Sequence, residues 1–227
     1  MDLVKSVASF WEREFNKIDT IIVGNGDVSS SEESLSLLKS NKQIISCDGA
    51  LKNLISLRVK PDFVVGDGDS LDFADLKFAN IPYIQDTSQD YNDLQKAFKF
   101  CLKKGFDNIA LLGCGGLRED HFLANLSIMT MFSEKFNYVM MLTEYGIFNV
   151  FNRSAEYDSL EGMQISVFVK NEKLKLSFSG LKYPVLNRSF NWFWEGSLNE
   201  SLGNSFQISS NGDEPILLFR SKMIKNR

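Results

Sequence analysis

The stretch that decides the fold is Val64-Val65-Gly66-Asp67-Gly68-Asp69-Ser70. Two β-branched apolar residues run into glycines that alternate with carboxylates, and this pattern predicts a buried strand that opens into a loop. The glycines allow positive φ values and a close approach of a ligand to the backbone. Asp67 and Asp69 suit a hard divalent cation, because both side chains can point the same way beyond the end of the strand. An acidic turn that caps the next helix is the alternative interpretation.

Strand and helix patterns alternate on both sides of this stretch. Such alternation is typical of a parallel sheet covered by helices, and sheets of this type bind ligands at the carboxyl ends of their strands. We predict strands at residues 20–23, 43–46, 63–65, 82–84, 108–112 and 138–142. We predict helices at residues 6–15, 31–39, 50–57, 72–78, 120–132 and from Asp93 to about residue 104.

The pattern changes near residue 144. Beyond it, turn-forming residues separate short β-rich runs, which predicts strands at residues 148–151, 164–169, 175–178, 206–209 and 216–219. We therefore expect an α/β domain with a parallel sheet over residues 1–145, followed by a smaller all-β sandwich domain over residues 146–227. The later domain is short for an independent core, so we expect it to pack on the first domain or on a second subunit.

The composition excludes several classes of protein. The 227 residues carry a net charge of −4, so no broad basic field exists that would bind nucleic acid or an anionic membrane. No apolar run is long enough to span a bilayer, and the N-terminus lacks the pattern of a signal peptide. The three cysteines are widely spaced and form no Cys-x-x-Cys pair, which favours a reducing compartment such as the cytoplasm.

Further charged residues follow the predicted strands or begin the predicted helices. They are Asp48, Asp90, Asp93, Arg118 and Asp120. In a parallel sheet these residues can gather at one edge with Asp67 and Asp69. Two carboxylates 4 Å apart repel each other by roughly 4 kcal/mol at an effective dielectric constant near 20. A cation or an outward splay into water must relieve that repulsion. Magnesium suits such oxygen ligands, and the chain lacks the histidine and cysteine set that zinc prefers. A helix cap remains the alternative for Asp93, and a solvated helix face remains the alternative for Lys96.

Four segments, in matching order and spacing, resemble the thiamine pyrophosphokinase family. They are Cys47-Asp48-Gly49-Ala50, Pro61-Asp62 through Gly66-Asp67-Gly68-Asp69-Ser70, Gln89-Asp90-Tyr91-Asn92-Asp93-Leu94-Gln95-Lys96-Ala97, and Gly115-Gly116-Leu117-Arg118-Glu119-Asp120-His121-Phe122-Leu123-Ala124-Asn125. Two later segments are similar to the thiamine-binding part of that family: Gly180-Leu181-Lys182-Tyr183-Pro184 and Gly196-Ser197-Leu198-Asn199-Glu200. The resemblance covers nearly the whole chain after about Ile21. Two positions depart from the family pattern, because Asn92 replaces a usual threonine and Leu198 replaces a usual serine.

The resemblance implies a reaction and an assembly. The reaction is transfer of the pyrophosphoryl group of ATP to the hydroxyl of thiamine, which gives thiamine diphosphate and AMP. The thiamine oxygen attacks the β-phosphorus in line, so positioning and charge neutralisation do most of the catalytic work. The assembly is a homodimer whose active site lies between the α/β domain of one subunit and the β domain of the other. Mg²⁺ is the implied cofactor, with ATP as co-substrate and thiamine as acceptor.

The resemblance also implies roles for individual residues. Direct or water-mediated Mg²⁺ ligands are Asp67, Asp69 and Asp93, which form the catalytic set together with Arg118 and Asp120. Nucleotide contacts are Asp48, Gln89, Asp90, Lys96 and Arg118. Thiamine contacts are Asp120, Ser197 and Asn199, with Asp120 also a candidate acceptor for the hydroxyl proton. The residues themselves add Trp192 and Trp194 as thiamine contacts, because an indole ring can stack on the pyrimidine ring and is a favourable partner for a thiazolium cation. Packing at a domain or subunit interface is the alternative for Trp192 and Trp194, and His121 is interpreted as structural.

Two other functions remain open at this point. A related diphosphokinase that acts on another hydroxymethyl heterocycle, such as a pterin, would carry the same acidic half and would differ in the later domain. A non-catalytic sensor that binds thiamine or a nucleotide is the second alternative. The acidic set argues against a sensor, because a protein that only binds has no need of so many carboxylates that face a metal.

Overall fold

The chain forms two compact units. The computed structural model describes residues 3–28, 31–71 and 80–224, with side chains described from Ser6 onward. One unit is Asn16–Glu144, and the other combines the residues up to Phe15 with those from Tyr145. The expected boundary lay between residues 145 and 146, so the structure differs chiefly in grouping the N-terminal helix with the later unit. The helix predicted at residues 72–78 lies outside the described residues.

The first unit is built on a parallel sheet. Its strands, in chain order, are β1 (Thr20–Val23), β2 (Gln43–Cys47), β3 (Phe63–Gly66), β4 (Tyr83–Gln85), β5 (Asn108–Leu112) and β6 (Tyr138–Leu142). They lie side by side in the order β6-β5-β1-β2-β3-β4, and every neighbouring pair is parallel. The chain changes direction across the sheet between β1 and β5, the position at which open sheets of this kind form a crevice for ligands. This part of the predicted fold class is confirmed.

The helices have the predicted positions. They are α1 (Leu3–Asn16), α2 (Glu32–Leu38), α3 (Ala50–Ser56), α4 (Asp93–Lys104) and α5 (Glu119–Ser133). At the start of α4, Asn92 and Gln95 form a capping box, in which each side chain accepts a hydrogen bond from the backbone N–H of the other residue. Gly105 ends the helix at φ 72°, a left-handed conformation that favours glycine. Within the described ranges, no helix is both long and apolar enough to cross a bilayer.

The later unit contains two antiparallel sheets. Its strands are β7 (Gly146–Phe151), β8 (Ala155–Asp158), β9 (Met163–Val169), β10 (Lys175–Ser179), β11 (Val185–Ser189), β12 (Asn199–Glu200), β13 (Ser205–Ser210) and β14 (Ile216–Ile224). The sheet orders are β12-β9-β14-β7 and β11-β10-β13-β8. The sequence did not predict the two-residue strand β12, and it did not predict β8 and β11, which are the edge strands of the second sheet. Strands β8 and β11 have few buried residues, so they lack the apolar alternation that identifies a strand.

A buried ion pair explains why α1 belongs to the later unit. The guanidinium of Arg220 on β14 donates two hydrogen bonds to the Glu14 carboxylate, at 2.8 and 3.2 Å. Both side chains are almost fully buried, at 0% and 3% exposure. The same guanidinium donates to the Asn149 side chain at 2.7 Å and lies over the ring of Phe10. A two-point pair of this geometry has a strong directional preference, so it fixes α1 against the strands.

Glu14→Gln is expected to lower the free energy of unfolding by about 3 kcal/mol, because it leaves the Arg220 guanidinium buried without its counter-charge. The measurement is urea unfolding followed by circular dichroism. Arg13→Gln is the matched control, since Arg13 lies on the same helix in an exposed pair with Asp158. Its effect should stay below about 1 kcal/mol. Equal effects of the two substitutions would contradict this account of α1.

Candidate active site

Two glycine loops meet where β1 and β5 end. The N–H of Gly26 donates to the carbonyl of Gly113 at 2.6 Å, and the N–H of Asp27 donates to the carbonyl of Gly115 at 2.8 Å. A Cβ atom at Gly26 would lie only 2.5 Å from both carbonyl oxygens. The close approach of the loops therefore requires glycine, and it fixes the backbone beside the crevice of the sheet.

Three carboxylates converge at the neighbouring strand ends. Asp48 follows β2, Asp67 follows β3, and Asp93 begins α4. One oxygen atom from each of the three lies within 4.8 Å of the others. This group shares Asp67 and Asp93 with the predicted ligand set, but its third member is Asp48. Asp69 is exposed and lies outside the group, although its N–H donates to Asp67 at 3.2 Å.

A buried lysine compensates part of this negative charge. Lys96 lies one turn after Asp93 on α4, and only 1% of its side chain is exposed. Its ammonium group is 2.8 Å from a carboxylate oxygen of Asp67 and 3.5 Å from one of Asp93. The alternative interpretation of Lys96 as part of a solvated helix face is therefore wrong. Because three carboxylates face one ammonium group, the cluster keeps an excess of negative charge.

The pKa values of the three carboxyl groups diverge. Burial raises the pKa of Asp48, although a hydrogen bond from the N–H of Gly68 acts in the opposite direction. Burial also raises the pKa of Asp93, against the attraction of Lys96. The hydrogen bond from Lys96 lowers the pKa of Asp67, which therefore keeps its charge most readily. Asp67 thus ionises readily, whereas ionisation of Asp48 and Asp93 costs free energy because both are buried.

The donor set fits a hard divalent cation. Oδ1 of Asp48 is buried and has no hydrogen-bond partner among the residues that the structure describes. A positive ion near the three carboxylates would offset their mutual repulsion and favour the ionised forms of Asp48 and Asp93. All the converging side-chain ligands are oxygen atoms, which Mg²⁺ prefers.

Gly66 makes room for the Asp48 carboxylate. A Cβ atom on Gly66 would come closer than 3.0 Å to the Asp48 carboxyl carbon and to both of its oxygens. The Tyr83 hydroxyl donates to the Gly66 carbonyl at 3.2 Å. Burial, followed by the charge of Asp48 and other nearby carboxylates, raises the pKa of Tyr83 to about 12. Tyr83 therefore remains a neutral phenol that supports the loop, a role that the sequence did not indicate.

The remaining predicted residues of this unit are exposed. Gln89 and Asp90 lie in the loop between β4 and α4, outside the group of three carboxylates. Arg118 precedes α5 and forms a two-point ion pair with Asp120, at 2.6 and 3.0 Å. This pair lowers the pKa of Asp120 to about 2. Asp120 is consequently a weak proton acceptor while it remains paired with Arg118.

The predicted thiamine contacts in the later unit differ in accessibility. Trp192 is exposed, whereas the hydroxyl of Ser197 donates to the carbonyl of Trp194 at 2.7 Å. Asn199 is buried, and its side chain bonds both backbone groups of Tyr183, at 2.8 and 3.0 Å. The Asn199 amide therefore orients the backbone at Tyr183, and its predicted contact with thiamine stays a prediction.

Comparison with known proteins connects this geometry to a family. Residues 35–141 match the family model for the catalytic domain of thiamin pyrophosphokinase, and residues 146–219 match the model for its substrate-binding domain. The chain belongs to the thiamin pyrophosphokinase family. Thiamin pyrophosphokinase 1 of Caenorhabditis elegans is 30% identical over 129 residues, which are 52% of this chain and 52% of that protein. The match thus spans about half the length of this curated relative.

Solved thiamin pyrophosphokinase structures share the fold. The enzyme from Bacillus subtilis superposes with a TM-score of 0.75 at 21% identity, over 89% of this chain and 98% of that chain. The enzyme from Candida albicans superposes with a TM-score of 0.76 at 17% identity, over 94% and 91% of the two chains. At these identities the likeness establishes the fold, and the predicted succession of an α/β part and a β part is confirmed.

Gly66→Ala is expected to displace the Asp48 carboxylate, because the new methyl group would occupy its position. We expect a loss of stability of about 1–3 kcal/mol. We also expect that Mg²⁺ raises the melting temperature of the wild type but not that of Gly66→Ala. Gly203→Ala is the control, since a Cβ at Gly203 meets no described atom within 4 Å. Retention of the full Mg²⁺ effect in Gly66→Ala would contradict the proposed importance of this contact.

Lys96→Met is expected to destabilise the protein at pH 7 by about 2 kcal/mol, because Asp67 and Asp93 lose their counter-charge. Since Lys96 lowers the folded-state pKa of Asp67, its stabilising effect is present above the unfolded-state pKa and is lost as the pH falls through the folded-state pKa. The difference in stability between wild type and variant should therefore narrow below about pH 4. The measurement is urea unfolding between pH 7 and pH 3.

Lys103→Met is the matched control, because Lys103 lies on the same helix with an exposed side chain. It should change stability by less than about 0.5 kcal/mol at any pH. A Lys96→Met deficit that stays constant down to pH 3 would show that the effect does not arise from the carboxylates.

Proposed function

We propose that this protein catalyses the transfer of the pyrophosphoryl group of ATP to the hydroxyl of thiamine, giving thiamine diphosphate and AMP. The observation that carries the proposal is the convergence of Asp48, Asp67 and Asp93 around buried Lys96. The matches of the two halves of the chain to the catalytic and substrate-binding domains of the thiamin pyrophosphokinase family support it.

The reaction needs little chemistry from side chains. The thiamine oxygen forms a bond to the β-phosphorus, and the bond from that phosphorus to the bridging oxygen of AMP breaks. The hydroxyl proton leaves to a base or to water. Charge neutralisation and alignment supply most of the acceleration in phosphoryl transfers of this kind.

We propose that Asp48, Asp67 and Asp93 hold Mg²⁺ directly or through water. When bound, the ion would neutralise phosphate oxygens of ATP. Lys96 would fix the orientation of Asp67 and lower the repulsion among the three carboxylates. Asp69 would act through water or through its backbone contact with Asp67, because its side chain is exposed.

The exposed charged loops fit the role of contacts for ATP. Gln89 and Asp90 would contact the nucleotide or its ion from the loop before α4. A phosphate group would compete with Asp120 for the Arg118 guanidinium, which presents a planar fork of donors. Release from Arg118 would raise the pKa of Asp120 toward its ordinary range, so Asp120 would become a better partner for the thiamine hydroxyl.

The assembly of the enzyme, its compartment and its partners are further proposals. We infer a homodimer in which the α/β domain of one subunit and the β domain of the other share the active site, as the family resemblance implies. We also infer a reducing compartment such as the cytoplasm, without nucleic-acid or membrane partners. The three cysteines are all free, and a chain without a disulfide is compatible with a reducing compartment.

Purified protein is expected to release AMP from ATP only when Mg²⁺ and thiamine are both present. Asp67→Asn should reduce this rate by two orders of magnitude or more, about the size seen when a preorganised charge-stabilising group is lost. Asp48→Asn should cost about as much, whereas Asp69→Asn should cost clearly less, because Asp69 lies outside the group of three carboxylates. The measurement is chromatographic separation of AMP and thiamine diphosphate.

Other outcomes would select other functions. AMP release that depends on a hydroxymethyl pterin instead of thiamine would identify the related diphosphokinase. Binding of thiamine or ATP without AMP release, in folded protein, would identify a sensor. An Asp69→Asn defect larger than that of Asp48→Asn would overturn the assignment of the metal ligands while the reaction itself could stand.

A further inference from the structure

The later unit presents an exposed aromatic turn, defined here as residues 192–197, which includes the 3₁₀-helix Phe193–Gly196. The side chains of Trp192 and Trp194 are 70% and 72% exposed. Indole rings exposed to this degree contribute little to the core of a domain, and clusters of exposed aromatic groups mark binding surfaces. The turn lies within the part of the chain that matches the substrate-binding domain model.

A single carboxylate holds the backbone of the aromatic turn. One oxygen of Glu195 accepts hydrogen bonds from the backbone N–H groups of Asn191 and Trp192, at 2.6 and 2.9 Å. The other oxygen accepts from the Arg188 guanidinium at 3.0 Å. Only 12% of the Glu195 side chain is exposed, so these bonds are partly shielded from water. The two backbone hydrogen bonds lower the pKa of Glu195, which therefore stays ionised near neutral pH.

Neighbouring contacts fix the turn further without covering the indole rings. The Ser197 N–H and hydroxyl both donate to the Trp194 carbonyl, at 3.2 and 2.7 Å. A Cβ at Gly196 would overlap the carbonyl of Val167, so the backbone packs closely there. The Phe193 ring meets the Phe168 ring edge to face at 5.8 Å. The turn is thus rigid in its backbone while Trp192 and Trp194 remain open to solvent.

We propose that Glu195 is a positioning residue that presents Trp192 and Trp194 to the rings of thiamine. This inference rests on the proposed function. Thiamine combines a thiazolium cation with an aromatic pyrimidine, and the face of an indole attracts both a cation and a flat ring. A turn that is ordered before binding loses less conformational entropy when the substrate arrives, so the carboxylate increases affinity without touching thiamine.

The first test separates substrate affinity from turnover. Glu195→Ala should raise the KM for thiamine about tenfold while kcat and the KM for ATP stay within about twofold. Glu195→Gln keeps an oxygen that can accept the two backbone hydrogen bonds, so it should restore most of the affinity. Glu214→Ala is the matched control, because Glu214 also accepts a side-chain hydrogen bond in this unit but lies in an exposed position.

The second test needs no turnover. The chain has three tryptophans, of which Trp11 is buried, so quenching of emission by added thiamine reports on Trp192 and Trp194. The thiamine concentration for half-maximal quenching should rise about tenfold in Glu195→Ala and return toward the wild-type value in Glu195→Gln. Melting curves of each variant establish that it is folded.

The outcomes distinguish the inference from the proposed function. An unchanged KM and unchanged quenching in folded Glu195→Ala would overturn the inference while the reaction stands, as would a fall in kcat alone. A loss of dimers at unchanged KM would also overturn it, because the turn would then serve contact between subunits. If wild-type protein forms no AMP, the proposed function falls, and the quenching experiment by itself still decides whether Glu195 positions a thiamine-binding surface.

Discussion

The contact of the Lys96 ammonium group with Asp67 and Asp93 is the interaction on which the candidate site depends. Two carboxylates 4.8 Å apart repel by roughly 3–4 kcal/mol at an effective dielectric constant of about 20, and three of them meet here. Three features of the fold bring them together: the adjacency of β2 and β3, the Asn92 cap that starts α4, and the glycine at position 66. Lys96 offsets part of the repulsion, and the negative charge that it leaves uncompensated would favour a cation there.

The sequence was sufficient to predict those strands and helices that have a local apolar pattern. Strands β1, β5 and β6 have the predicted bounds, because buried parallel strands are short apolar runs between turn residues. The exposed edge strands β8 and β11 carry no such signal. The grouping of α1 with the later unit depends on Glu14 and Arg220, which are 206 residues apart, and no local pattern encodes that contact.

The candidate site could be predicted in outline, and the one difference between the predicted ligand set and the observed group of three carboxylates has a physical cause. The spacing of Asp67 and Asp69 suggested that both side chains point the same way, which holds only while the backbone stays extended. Gly68 has φ 97°, so the backbone turns between Asp67 and Asp69. The N–H of Gly68 donates a hydrogen bond to the Asp48 carboxylate. One of the two departures from the family pattern has a local explanation, because Asn92 caps α4. The other has a cost in backbone strain, because Leu198 adopts φ 60° and its side chain is exposed. The burial of Asn199 could not be predicted from the sequence, because it follows from the pairing of its side chain with the Tyr183 backbone.

The Glu14–Arg220 pair has a consequence for the order of folding during synthesis. Arg220 is synthesised 206 residues after Glu14. The unit that contains them cannot complete its core until the whole Asn16–Glu144 unit and the strands that follow it have been made. The Asn16–Glu144 unit is encoded without interruption and has all its strands well before that moment, so it can fold while the later unit is still being translated. Until then Phe10 and Trp11 on α1 lack Arg220 and Lys222, the side chains that lie over their rings in the folded unit.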